Sequence, residues 1–167
     1  MADYGRGIKA GIVSGIIYGI VSGIIAAIIV AALWSTLVGA TTGFMMGPAS
    51  SAFGAVFMWM LIGGLVGGII MGIIGGIIFG LIYAAVYNSL PGSTSVMKGI
   101  VLSLLFWVIF SLALGATSLT TYGIMYYGIV NVVVGLLTAL LWGFLLGKFW
   151  EMFAPARPVQ QAPQTPQ

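Results

Sequence analysis

Two stretches decide the fold: GIKAGIVSGIIYGIVSG at residues 7–23 and GLVGGIIMGIIGGIIFG at residues 64–80. In the first, glycine recurs every fourth position as Gly7, Gly11, Gly15, Gly19 and Gly23, and Ala27 extends the row. In the second, the row is Gly64, Gly68, Gly72, Gly76 and Gly80, extended by Ala84, with a partial second row at Gly63, Gly67 and Gly75. On an α-helix, a residue four positions on lies one turn up and about 40° further round. Each row is therefore a slowly winding groove without side chains, into which another backbone can fit closely. Glycine costs about 1 kcal/mol of helix propensity relative to alanine in water, so five in one helix call for a packing reason. Both rows are filled in with Ile and Val, which are stiff at χ1 and lose little freedom when packed.

The same spacing continues, less regularly, towards the C-terminus. Gly135, Ala139, Gly143 and Gly147 form one row, while Gly99, Ser103, Ser111 and Gly115 form another that Trp107 interrupts. The rows predict an antiparallel pair made by the first two helices with their grooves in contact. The last row either completes a bundle or faces a second copy of the chain. The echo between residues 11–19 and 68–76 is read as Gly/Ile composition rather than as an internal repeat.

Composition places these helices in lipid. The chain is 61% hydrophobic and 4% charged, whereas a soluble domain carries about 25% charged residues. A surface so poor in charge cannot be solvated, so the bilayer is the expected solvent. The net charge of +3 does not imply nucleic acid, because the basic residues are scattered and form no patch. The apolar run starting at Ala10 exceeds the h-region of a signal peptide and reads as an uncleaved first span.

A span needs roughly 20 apolar residues. The apolar runs predict four, at about 10–33, 60–82, 99–116 and 123–147. The run 52–90 is the difficult one, since as a single helix it would reach about 58 Å at 1.5 Å per residue. Charge placement decides the count. With four spans, Arg6, Lys9, Lys98, Lys148 and Arg157, the whole complement of five basic residues, fall on one side. The opposite loops at 36–51 and 117–122 hold none, which satisfies the positive-inside rule and places both termini in the cytoplasm. Five spans would split the basic residues between the two sides. Interfacial aromatics agree: Trp34 and Trp59 suit the outer boundary, and Tyr83 and Tyr87 the inner one.

The segment 35–58, with Gly47-Pro48 near its middle, reads as an overrun of the first helix, a turn, and an early start of the second. A re-entrant hairpin is the alternative. Residues 1–153 thus form an integral membrane helix bundle, and 154–167 a disordered Pro/Gln-rich cytoplasmic tail.

The motifs of chemistry are missing. With no Cys and no His, thiolate and disulfide chemistry and the usual zinc and haem ligands are excluded. No ionisable side chain of the Asp, Glu, Lys, Arg or His type falls between the interfaces, so proton relays and charge-coupled carriers lack their usual parts. No P-loop lysine follows the glycine-rich turns. No catalytic residue, cofactor or metal site is expected, and the protein is not expected to be an enzyme. Asn131 is the sole amide within a span and shares a face with Gly135. It reads as an interhelical hydrogen-bonding group rather than a pore-lining site.

The whole chain resembles the small, glycine-rich, four-pass membrane proteins of prokaryotes that are grouped as uncharacterised families. The resemblance rests on the ladders, the short loop Pro91-Gly92 followed by Lys98-Gly99, and the charge pattern. It implies an all-α, four-helix membrane bundle in the cell membrane and carries no activity with it. The expected function is structural or accessory: self-association, or docking beside a larger membrane complex through glycine-ladder helices. A channel or carrier for a small neutral solute is the alternative, and a lipid-binding or membrane-shaping role the weaker one. The expected partners are the lipid bilayer and either a second copy or a larger complex, with no nucleic acid.

Overall fold

A sequence rich in Ile and Gly is a poor helix former in water. In lipid, however, every backbone N–H and C=O must be satisfied within the segment, and the helix is the local way to do so. The computed structural model describes residues 3–33 and 51–155. Among these, all the regular structure is helical, in the order α1 (Tyr4–Ala32), α2 (Ser51–Val86), α3 (Ser95–Tyr126), a π-helical segment (Tyr127–Val134) and α4 (Gly135–Met152).

Local signals set the helix ends. Asp3 is the N-cap of α1, its carboxylate accepting from the Arg6 N–H at 3.0 Å. A carboxylate there also answers the positive end of the helix dipole. Thr94 caps α3 in the same way, accepting from the Met97 N–H at 3.2 Å. Between α2 and α3 the chain turns through Pro91 and Gly92, and Gly92 takes φ 134°, a conformation that L side chains rarely adopt.

The bundle is two antiparallel hairpins. α1 packs chiefly on α2 and α3 chiefly on α4, while α1 also touches α4. The buried core sits at one end, where Ala10, Tyr83, Ala84, Leu102, Leu146 and Trp150 come together. Asp3, Arg6, Lys9, Lys98, Lys148 and Glu151 all belong to the helix turns that meet at this charged end. Elsewhere the large apolar side chains point outwards: Ile28 is 63% exposed, Met71 67%, Leu137 61% and Ile109 58%. Soluble monomers rarely show continuous apolar surface on this scale. α1, residues Phe57–Val86 of α2, and Tyr127–Met152 are each long and apolar enough to cross a membrane, and Ser95–Ser111 is a shorter apolar helix. This inside-out distribution suits a membrane.

Residues 51–58, at the end of the outer segment, are the first turns of α2, whereas 35–50 lie outside the described residues, as do Arg157 and the tail from 156. At about 54 Å by the helical rise, α2 outreaches a hydrocarbon core of about 30 Å. One boundary differs from the sequence reading: 117–122, read as the loop between the apolar runs 99–116 and 123–147. The backbone there stays helical, and the break comes at Gly123, with φ 84° and ψ 170°. Serine and threonine can return their hydroxyls to their own helix and do not end it, whereas a positive φ is open to glycine.

Candidate functional site

The first hairpin is closed backbone to backbone. A Cβ added to Gly7, Gly11, Gly15 or Gly19 would overlap the carbonyl oxygen of Gly80, Gly76, Gly72 or Gly68 respectively. The reverse holds from α2, with each of those glycines facing its partner's carbonyl on α1. The partners step four residues forward on α1 for four back on α2, as antiparallel helices in constant register must. A glycine hydrogen therefore occupies the place of each missing Cβ, against a facing carbonyl. Such C–H···O contacts are worth about 0.5–1 kcal/mol each. Gly23 is looser, with the Gly64 oxygen 3.2 Å from its Cβ position, and a Cβ on Gly64 would meet nothing within 4 Å. Beyond this point α1 and α2 diverge around an apolar cleft of about 660 Å³ between Ile24, Ala27, Phe57 and Leu61.

The second hairpin is fitted by size exchange. A Cβ on Gly99 would overlap the Gly143 carbonyl, and one on Gly143 the Ser103 hydroxyl; one on Gly147 would strike Ser95 and Val96. Further along, the small residue changes sides. Trp107 of α3 fills the space at Gly135, its Nε1 2.9 Å from the Cβ position, and Tyr127 fills that at Gly115. Trp107 therefore does not interrupt the row: it is the large member of a Trp–Gly pair. Its indole N–H donates to the Asn131 carbonyl at 3.1 Å, within the π-helical segment. The interhelical bond at Asn131 is thus made by its backbone, while its side-chain Nδ2 is buried without a partner among the described residues. π-turns of this kind recur at functional sites.

Rings join the two hairpins. Phe79 of α2 meets Phe106 of α3 edge-on at 4.5 Å and Trp142 of α4 edge-on at 4.3 Å, and Tyr18 of α1 lies 5.7 Å from Trp142. At the charged end, Tyr83 meets both Tyr87 and Trp150 edge-on, and Tyr87 stacks on Trp150 at 4.9 Å. Two cations flank this cluster. The Arg6 guanidinium lies over the Trp150 ring at 4.4 Å, and its Nε donates to the Trp150 carbonyl. Lys98 lies over the Tyr87 ring at 4.2 Å, and its ammonium donates to the Tyr87 carbonyl at 2.8 Å. Each accepting carbonyl belongs to the C-terminal end of a helix, where intrahelical donors run out and the dipole is negative. Arg6 and Lys98, read from sequence as markers of orientation, are thus helix C-terminal caps as well. Lys9 and Lys148 are exposed at the same end.

The clasp is completed by the buried Tyr83, whose hydroxyl donates to the Ser95 carbonyl at 2.5 Å. Tyr83→Phe deletes one buried hydrogen bond and little packing. It is expected to cost about 1–2 kcal/mol, read as a lower melting temperature in detergent with the helical signal intact.

The sequence reading put Tyr83 and Tyr87 at the inner interface without joining them to Trp150, and it missed the seam at Tyr18, Phe79 and Trp142. It also missed the Trp107–Gly135 pair, for which one signal was available: once α3 and α4 are folded back in antiparallel register, a large residue falls opposite one with no side chain.

The arrangement defines a class: an all-helical bundle of long apolar helices, tied at its charged end by cations and rings. The chain belongs to the DUF6789 family, a family of unknown function, whose pattern matches residues 4–161. No curated protein and no solved structure matches it.

Proposed function

We propose that the chain is a four-span integral membrane protein with cytoplasmic termini that serves as a structural or accessory component, associating laterally through glycine-ladder faces. Its glycine-rich, four-pass character would then be that of its family. One observation carries the lateral association. With one ladder of α2 covered by α1, Gly63 and Gly67 still have nothing within 4 Å of their Cβ positions, and Val66 beside them is 52% exposed. An open small-residue face lets another helix approach closely, and close fit is what joins helices in lipid.

Gly67→Leu separates assembly from folding, because its side chain enters empty space. The expected result in native lipid is an unchanged melting temperature with loss of the higher-mass assembly seen for the wild type. A wild-type protein that purifies as a lone monomer would count against the reading. The span count is tested on the same preparation. The chain has no native cysteine, so Asp3→Cys, Ser93→Cys and Ala154→Cys can each be labelled alone. All three are expected to react from the cytoplasmic side, and a split between sides would overturn four spans.

A further inference from the structure

A crevice runs between the two hairpins, midway along the bundle. It has one lobe of about 380 Å³ against α2 and another of about 200 Å³ against α3 and α4. Tyr18, Phe79, Phe110 and Trp142 border both lobes. The α2 wall of the larger lobe is made by glycines between Met71 and Phe79, and a Cβ on Gly75 would meet nothing within 4 Å. The larger lobe falls within the 300–1,000 Å³ range of small-molecule pockets.

The polar groups of this crevice are unevenly satisfied. The hydroxyls of Ser22, Ser103 and Thr138 donate to carbonyls of their own helices, at 3.2, 2.9 and 2.9 Å. Two donors are left over. The Trp142 indole N–H is buried without a partner among the described residues. The Tyr18 hydroxyl, 18 positions into the chain and on the neighbouring ring, has no hydrogen-bond partner among the described residues and is not sealed off. In hydrocarbon an unpaired donor costs several kcal/mol, and no bulk water is at hand to relieve it. The crevice therefore combines flat aromatic walls, a glycine-lined stretch and surplus donors, with no charged residue in its lining to pair with an ion. Its complement is an uncharged, flat, lipophilic molecule that brings an acceptor.

The geometry points to a binding site for a membrane-dissolved lipophilic carbonyl compound, its body between Trp142 and the glycine wall and its carbonyl oxygen accepting from Tyr18. Two sources share this chemistry, a ring carbonyl of the quinone type and the ester carbonyl of a lipid chain.

The test uses the full chain in bilayer nanodiscs with three probes: a short-tailed benzoquinone, a fatty-acid methyl ester and an alkane of equal length. Quenching of tryptophan fluorescence by the quinone is expected to saturate, and Trp142→Phe to remove most of the saturable part. Tyr18→Phe is expected to weaken binding five- to tenfold, about the worth of one net hydrogen bond. Gly75→Leu is expected to abolish the saturable part without lowering the melting temperature. Displacement of the quinone by the ester supports the shared carbonyl chemistry, and the tighter of the two assigns the source. Quenching that rises linearly with quinone and is equal in Gly75→Leu overturns the proposal. So does displacement by the alkane as readily as by the ester. If Gly75→Leu does not fold, Tyr18→Phe decides alone, and unchanged affinity in it overturns the site.

Discussion

Gly15→Ala is expected to destabilise the protein by about 3 kcal/mol or more, although alanine is the better helix former. The added methyl would overlap the Gly72 carbonyl oxygen and lie 2.7 Å from its carbon and 3.2 Å from the Gly76 Cα. All of these are backbone atoms, which cannot rotate away as a side chain would. The helices must separate, and the contacts of the neighbouring rungs are lost with them. Overpacking a well-filled core typically costs 1–3 kcal/mol, and a rigid obstacle puts this site at or beyond the upper end. The control is Gly67→Ala, made on the partner helix α2 at a position where nothing lies within 4 Å. It carries the same change in propensity, worth up to about 1 kcal/mol in favour of alanine, and is expected to be neutral or mildly stabilising. Titration with denaturing detergent, followed by circular dichroism, separates the two. Equal midpoints for Gly15→Ala and Gly67→Ala would show that the backbone contact does not hold the hairpin.

The second large effect is expected at Trp150, which is 3% exposed and touches Tyr83, Tyr87 and Arg6. Trp150→Ala removes the ring on which the charged end is assembled, and truncations of this kind cost about 3–5 kcal/mol. Its backbone carbonyl survives the substitution, so Arg6 keeps that acceptor while losing the ring. A double-mutant cycle with Arg6→Ala therefore isolates the cation–π part, expected at about 1 kcal/mol. Arg6→Lys keeps the charge but loses the planar face and the fork of donors, and is expected to fall between Arg6 and Arg6→Ala. Strict additivity of the two substitutions would mean that the ring and the guanidinium do not interact.

Much of the fold was legible because long apolar runs, read as spans, leave the backbone few choices. Long apolar runs in a chain with 4% charge read as helices, and glycine at every fourth position reads as a groove. The details that escaped depend on which residue faces which. Trp107 was read as a fault in a small-residue row because a row is judged along one helix. Its meaning lies across the gap, at Gly135. Arg6 and Lys98 were read through the rule that sorts positive charge between sides, which is silent about the carbonyls that a cation finds once there. The amide of Asn131 was singled out as the sole one in a span, yet the backbone oxygen makes the contact, a choice that residue identity does not encode. The end of α3 escaped for a local reason. The interval between two apolar runs was read as a loop, and the single glycine that breaks the helix lies just beyond it.

The bond from Arg6 to the Trp150 carbonyl joins groups 144 positions apart, and this has a bearing on biosynthesis. As the chain emerges from the ribosome, α1 and α2 can zip as soon as the second helix is made, because their rungs need nothing from the rest of the sequence. Arg6 by then has no Trp150 to cap. Closure of the charged end waits until α4 has been translated, so the first hairpin stands until then as a half-built intermediate. Its uncovered aromatic face, at Tyr18, Phe79 and Tyr83, is then the surface on which the second hairpin is recognised.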